Sequence, residues 1–180
     1  MARYVAFLRG MNLGTRRIKN EELRALFEEL GFDEVATFRA SGNVIFAVDG
    51  GSEKALTERI EAGLGKGLGY EVPVFLRSCA EVEEIAAQQP FDAKRVASSG
   101  GKLQVSLLRR APSAKARREA LTHATDEDLL AIEGRELYWL PSGGMLDSGL
   151  DLKAIDALVG PDTRRTMGTI EQIARKASPD

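Results

Sequence analysis

Several ingredients of common catalytic and metal-binding chemistry are nearly absent from this 180-residue chain. It holds one cysteine, Cys79, and one histidine, His123. A single cysteine excludes an internal disulfide, and one of each residue falls short of the three or four Cys and His ligands of a typical zinc centre. No Gly-x-Ser-x-Gly elbow offers an activated serine. No glycine loop has the spacing of a phosphate-binding Walker loop or of a dinucleotide fingerprint. No run of about 18 apolar residues exists, so no membrane-spanning helix is expected. Excess charge of either sign is missing too: 25 basic against 27 acidic residues leave a net charge of −2. Nucleic acid therefore has no chain-wide attraction to this protein and would need a local basic patch. The N-terminal apolar run lies between Arg3 and Arg9 without a cleavage-site pattern and reads as a strand, not an export signal. With the lone cysteine, this places the protein in the cytoplasm as an expectation.

What the chain does have is ordinary globular composition, 43% hydrophobic and 29% charged, with an uneven distribution of charge. Residues 1–20 contain Arg3, Arg9, Arg16, Arg17 and Lys19 and no acid. Acids begin at Glu21 and Glu22, where a helix N-terminus favours them. Residues 3–9 predict a strand, apolar on both sides through Val5 and Phe7 and through Tyr4, Ala6 and Leu8. Such a strand is central in its sheet. Leu23, Leu26, Phe27 and Leu30 form a helical stripe, with Asn20 as the expected cap and Gly31 as the stop. Strands follow at 34–40 and 43–48, joined by Ser41-Gly42-Asn43, where Gly42 is free to take positive φ. Ser52 caps a second helix with stripe Leu56, Ile60 and Leu64, whose glycines at 63, 65, 67 and 69 are expected to fray its end. Residues 72–76 give a fourth strand, with Pro73 suiting an edge.

The order β-α-β-β-α-β is that of the ferredoxin-like split βαβ plait. In that fold the strand order is 4-1-3-2 and the first two strands run parallel. The second half repeats the outline: Val105-Ser106-Leu107-Leu108-Arg109 echoes Val5-Ala6-Phe7-Leu8-Arg9 at a spacing of 100. A capping box at Ser78-Cys79-Ala80-Glu81 opens a helix. A mobile loop is expected at 91–101, a strand at 103–108, a helix after Ser113, and a hairpin of 128–132 with 137–140 about Glu133-Gly134-Arg135. A glycine-rich loop at 142–149, a candidate lid, and two last helices complete the chain. The fold class is thus α+β, a duplicated ferredoxin-like plait with its two halves packed together, divided as 1–77 and 78–180. Because the first strand is apolar on both faces, its open face requires a cover, and the second half is the expected one.

The segments Arg9-Gly10-Met11-Asn12-Leu13-Gly14 and Ser41-Gly42-Asn43-Val44-Ile45-Phe46, with Leu23-Arg24-Ala25-Leu26 between them, resemble the bacterial family DUF1697. The resemblance implies a two-part α/β plait of the cytoplasm and no established activity. Family members tend to carry a Thr-Arg-Asn-Trp-Asn-Thr-like segment before the last helix. Here Thr163-Arg164-Arg165-Thr166-Met167-Gly168-Thr169 keeps only the outer threonines and Arg165, and a role tied to the asparagines or tryptophan does not transfer.

With the first two strands parallel, residues 9–14 and 39–43 are expected at one end of the first sheet. Arg9, Arg16, Arg17, Lys19 and Arg39 would supply positive charge there, and Asn12, Ser41 and Asn43 directed hydrogen bonds. The expected role is binding of an anionic or phosphate-bearing small molecule or nucleotide. An enzyme acting on a phosphorylated or carboxylated substrate and a protein–protein interaction module are the alternatives. The enzyme reading lacks a histidine near the cluster. Among the other candidates, Cys79 has no evident base partner and no metal or cofactor is expected. His123 suits the last turn of its helix as a structural residue. An RNA-recognition reading would need Tyr4, Phe7 and Phe46 to be exposed for stacking, whereas their pattern fits core packing.

Overall fold

The first strand, β1 (Ala2–Leu8), has Val5, Ala6, Phe7 and Leu8 all exposed by 1% or less, so both its faces are buried as its sequence demands. The structure is a computed structural model that describes residues 1–11, 13–39 and 42–179. The chain forms two compact units, one of residues 1–83 with 173–180 and one of residues 84–172.

In the first unit β1 is followed by α1 (Asn20–Glu29), β2 (Asp33–Thr37), β3 (Asn43–Val48), α2 (Glu53–Leu68), β4 (Val74–Ser78) and α3 (Cys79–Ala87), the last crossing the unit boundary. The sheet order is β2-β3-β1-β4, with every neighbouring pair antiparallel. β1 and β2 therefore run the same way, and the split βαβ plait is the observed topology. Leu23 and Phe27 of α1 and Leu56, Ile60 and Leu64 of α2 pack on Ala6, Leu8, Val44, Phe46 and Leu76. The alternate residues Val5, Phe7, Ile45 and Phe75, which point to the opposite face, are equally buried.

Two details of these helices differ from the sequence reading. Lys19, not Asn20, is the cap of α1, and its backbone N–H donates to the Glu22 carboxylate at 3.3 Å. The glycines of α2 do not fray it: the helix continues to Leu68 and stops at Gly69, which is left-handed at φ 77°. Gly63 and Gly67 lie where α1 crosses. A methyl group on Gly63 would come within 2.7 Å of Leu30 Cδ1, and one on Gly67 within 2.7 Å of Leu26 Cδ2. Close helix approach, not a weak terminus, accounts for both glycines.

The second unit has β5 (Gln104–Leu108), α5 (Ala114–Leu121), β6 (Asp128–Glu133), β7 (Glu136–Pro141), α6 (Leu152–Val159), β8 (Asp162–Thr166) and the beginning of α7 (Met167–Ala177). Its order, β6-β7-β5-β8, is that of the first sheet. The duplication extends to single hydrogen bonds. Leu8 N–H donates to Gly42 O and Leu108 N–H to Arg135 O; Arg9 N–H donates to Pro73 O and Arg109 N–H to Pro161 O. Ser78 Oγ accepts the Glu81 N–H, and Thr166 Oγ1 accepts the Thr169 N–H. Val5 faces Arg77 across one ladder and Val105 faces Arg165 across the other. Both arginines are buried, each donating from Nη1 to the carbonyl of the residue before it. Burial pushes the Arg165 guanidinium down to about 10, which leaves it charged at neutral pH.

β8 is missing from the sequence reading. Its residues, Asp-Thr-Arg-Arg-Thr, look like a polar loop, yet they pair along β5, and Thr163 and Arg165 point inward. The mobile loop expected at 91–101 is also corrected. Asp92 Oδ1 caps α4 (Ala93–Ser98) through the N–H groups of Lys94 and Arg95. Gly100 N–H then donates to Ser142 O, and a side chain on Gly101 would strike the Pro141 and Gly143 carbonyls.

The packing of α2 predicts opposite outcomes for two glycines in one helix. Gly65 has no atom but the Tyr70 carbonyl, 4.0 Å away, near the place of an added methyl. Gly65→Ala should therefore gain about 0.5–1 kcal/mol from helix propensity, roughly 1–4 °C in melting temperature. Gly63→Ala receives the same propensity gain but overpacks against Leu30, at a cost of about 1–3 kcal/mol. Thermal melts of the two variants should differ in that direction, and equal gains would remove close helix approach as the reason for Gly63.

Candidate functional site

β1 ends at Leu8 and β2 at Thr37, and because they run parallel both ends lie on one side of the sheet. The β2–β3 connection is closed by two bonds at 2.9 Å, from Phe38 N–H to Asn43 O and from Asn43 Nδ2 to Phe38 O. It is tied to β1 by Leu8 N–H to Gly42 O at 2.8 Å. Gly42 is left-handed, φ 82°, and a methyl group there would lie 2.7 Å from Met11 Cγ, so Met11 rests on the hairpin. Residues 9–11 and 42–43 are thus neighbours in space.

Each predicted site residue can be placed on this frame. Arg9 is exposed immediately beyond β1, and its N–H on Pro73 O holds it beside the start of β4. Arg16 is exposed, with its guanidinium carbon 4.7 Å from the centre of the Tyr70 ring. Arg17 is exposed and its N–H donates to Thr15 O. Lys19 is the exposed cap of α1. Arg39 is exposed, sits in the left-handed region at φ 60°, and holds its guanidinium 5.4 Å from the Phe38 ring centre. Asn43 is buried and its amide serves the hairpin, so it is a structural clamp. Asn12 and Ser41 lie outside the described residues. Glu22 already occupies the start of α1, so the cluster gains no anion site from that helix terminus.

The structure adds residues that local sequence could not suggest. Lys176, in the last turn of α7, places its ammonium 5.7 Å from the Phe38 ring centre and 3.4 Å from the Thr37 carbonyl. It is 139 positions from Thr37, and no periodicity signals its arrival. Phe38 and Tyr70, which no motif singles out, are rings on which basic side chains rest. At the matching end of the second sheet a cavity of about 420 Å³ opens between Arg109–Pro112 and Ala157–Pro161. Arg109 repeats the position of Arg9.

Other readings are settled by burial. Phe7 and Phe46 are fully buried and Tyr4 stacks on Phe46, with ring centres 5.9 Å apart, so no base can lie across the first sheet on these rings. Cys79 is buried, and burial pushes its thiol up, away from the nucleophilic thiolate. His123 lies just beyond α5, not in its last turn, and donates its N–H to Ala120 O. Among the described residues no three or more His, Cys, Asp or Glu side chains gather to hold a metal, and no helix is long and apolar enough to cross a membrane. The loop 142–149 is anchored: Ser148 Oγ and Trp139 Nε1 both donate to the buried Asp128 Oδ1 at 2.8 Å, and Leu150 N–H donates to Ser148 Oγ.

This is a duplicated α+β plait whose first sheet carries a basic rim at one end. The chain belongs to the family described as protein of unknown function DUF1697, whose model matches residues 1–138. That match ends before the segment 163–169, which here forms β8 and the first turn of α7. Among solved structures, a conserved bacterial protein, SP0830, from Streptococcus pneumoniae is similar at a TM-score of 0.77 and 19% identity, with 98% of each chain covered. At that identity the likeness shows the fold. No curated protein matches the chain.

The Asp128 anchor carries a test of the loop. Asp128→Ala leaves the buried Trp139 indole N–H without its acceptor and should cost about 1–3 kcal/mol. Ser148→Ala, which removes one donor from the same oxygen, should cost about 0.5–1.5 kcal/mol. Urea unfolding of both variants checks the order. If neither loses stability, the loop is not held from Asp128.

Proposed function

We propose that this protein binds an anionic, phosphate-bearing ligand at the basic end of its first sheet, and that it does so in the cytoplasm. The observation that carries the reading is that Arg9, Arg39 and Lys176 all stand at that end. They come from the ends of two parallel strands and from the last helix, and backbone bonds and an aromatic ring hold their supports. Arg39 makes the strongest single contribution. It follows a strand, its backbone is fixed at positive φ, and a guanidinium can grip two oxygens of one phosphate. Arg16 rests on Tyr70, while Arg17 and Lys19 add charge from a more exposed loop. The buried Asn43 serves indirectly, by keeping the hairpin closed. The cluster has no histidine, which favours binding over acid–base chemistry.

A phosphate-bearing ligand should stabilise the fold by mass action, about 2.7 kcal/mol at 100 times its dissociation constant. Arg39→Ala should lose about 1.5–3 kcal/mol of binding free energy. The melting temperature without ligand should change little, since alanine meets the same backbone constraint at that position. A thermal-shift screen of nucleotides and sugar phosphates at low salt, run on both proteins, measures this. No shift in the unmodified protein, or identical shifts in both, would reduce the cluster to solvated surface.

A further inference from the structure

We infer that the ligand is the sugar–phosphate backbone of a single-stranded nucleic acid, laid along the whole end of the first sheet; this rests on the anion-binding reading above and narrows it. The reason is that the charges form a row. At the β2 edge stand Arg39 and Lys176, both on the Phe38 ring at 5.4 and 5.7 Å. Arg9 stands at the end of β1, two strands further in by the order β2-β3-β1-β4. At the β4 edge, Arg16 lies on Tyr70, three residues before the Pro73 carbonyl that receives the Arg9 N–H. Neighbouring strands are about 4.8 Å apart, so the row spans roughly 14 Å. A single phosphate group can meet only one part of such a row. A nucleic acid strand presents successive phosphates along that length and could meet the four cations with about three or four of them.

The two rings contribute by holding cations. Phe38 and Tyr70 are half-buried, while Arg39, Lys176 and Arg16 are exposed. A long basic side chain in water loses rotamer freedom when it grips a phosphate, and resting on a ring removes part of that loss beforehand. Phe38 and Tyr70 are in this sense positioning residues. Of the acids at the start of α1, the Glu22 carboxylate already accepts the Lys19 N–H. An uncharged or basic polymer has no use for this row, and a mononucleotide uses only a part of it.

Fluorescence anisotropy with labelled oligothymidylates of about 4 to 12 nucleotides, within the range of known single-strand site sizes, tests the inference on the full chain. Thymidine monophosphate and poly-glutamate serve as competitors. Affinity should rise at least about tenfold from the mononucleotide to the longer strands. The logarithm of affinity should fall against the logarithm of salt with a slope of about −2 to −3, as expected for three or four phosphates at about −0.7 each. Lys176→Gln should flatten that slope by about 0.7. Tyr70→Leu, which removes no charge, should weaken binding about two- to fivefold, the effect of losing one cation–π contact, and Phe38→Leu, which loses two, at least as much, with the slope kept in both. Binding of the mononucleotide as tight as that of the strands would overturn this inference and leave the anion site standing. Equal competition by poly-glutamate would also overturn it, since charge alone would then be recognised. Binding of no phosphate compound at all would overturn both readings.

Discussion

The antiparallel pairing of β1 with β3 on one side and β4 on the other is the constraint on which the first unit depends. β1 occupies the interior of its sheet because neither of its faces can be left in water: Val5, Ala6, Phe7 and Leu8 are all buried. Once β1 is interior and antiparallel to β3, β2 must run parallel to it, and the residues beyond both strands are delivered to one side. The basic rim is therefore a consequence of core packing. Arg9 and Arg39 share one end of the sheet because they follow parallel strands, and the bond from Leu8 N–H to Gly42 O ties β1 to the hairpin at that end.

How much of this is legible in sequence follows from what each segment buries. β1 and β3 are apolar throughout and their positions can be read directly; β3 spans the predicted residues 43–48. β8 could not be read, because its burial serves polar and charged side chains and its pairing with β5 is decided by the repeated topology. The glycines of α2 mislead for a related reason. Gly63 and Gly67 weaken the isolated helix, and only the crossing of α1, through Leu26 and Leu30, explains their presence. At the rim, the cations next to strand ends were visible. Lys176 was not, since its place depends on where the last helix ends. Asn43 shows the opposite error, a polar residue in a promising motif whose amide is engaged on a neighbouring carbonyl.

The duplication gives an internal comparison of one design carried out twice. Backbone bonds at equivalent strand ends are kept: Arg9 with Pro73, Arg109 with Pro161. The connection after the first strand is not. Between β1 and α1 the chain has a long basic loop that sets Arg16 on Tyr70, whereas β5 reaches α5 through only residues 109–113. The second unit has a cavity beside Arg109 and Arg110, and the first carries added positive charge in the loop after β1. Features common to both copies serve the fold; features found in one copy alone are the better candidates for function. By that criterion Arg16, Arg17 and Lys19 of the long first loop stand out with Tyr70, and the buried Arg77 and Arg165, which recur at matching positions, belong to the architecture.

The same criterion separates two kinds of arginine in one protein. Arg165 lies where burial disfavours its charge, and its Nη1 donates to Thr163 Oγ1 and to the Arg164 carbonyl. A buried guanidinium held in this way specifies one packing but is closed to a ligand from solvent. Arg9, Arg16 and Arg39 are exposed, and two of them rest on aromatic rings that orient them. Positive charge can attract an anion only where no carboxylate cancels it and the side chain remains within reach of solvent. The first twenty residues, with five basic residues and no acid, meet the first condition in their sequence, and the exposed strand ends meet the second through the fold. A chain with a net charge of −2 can in this way present a locally basic edge.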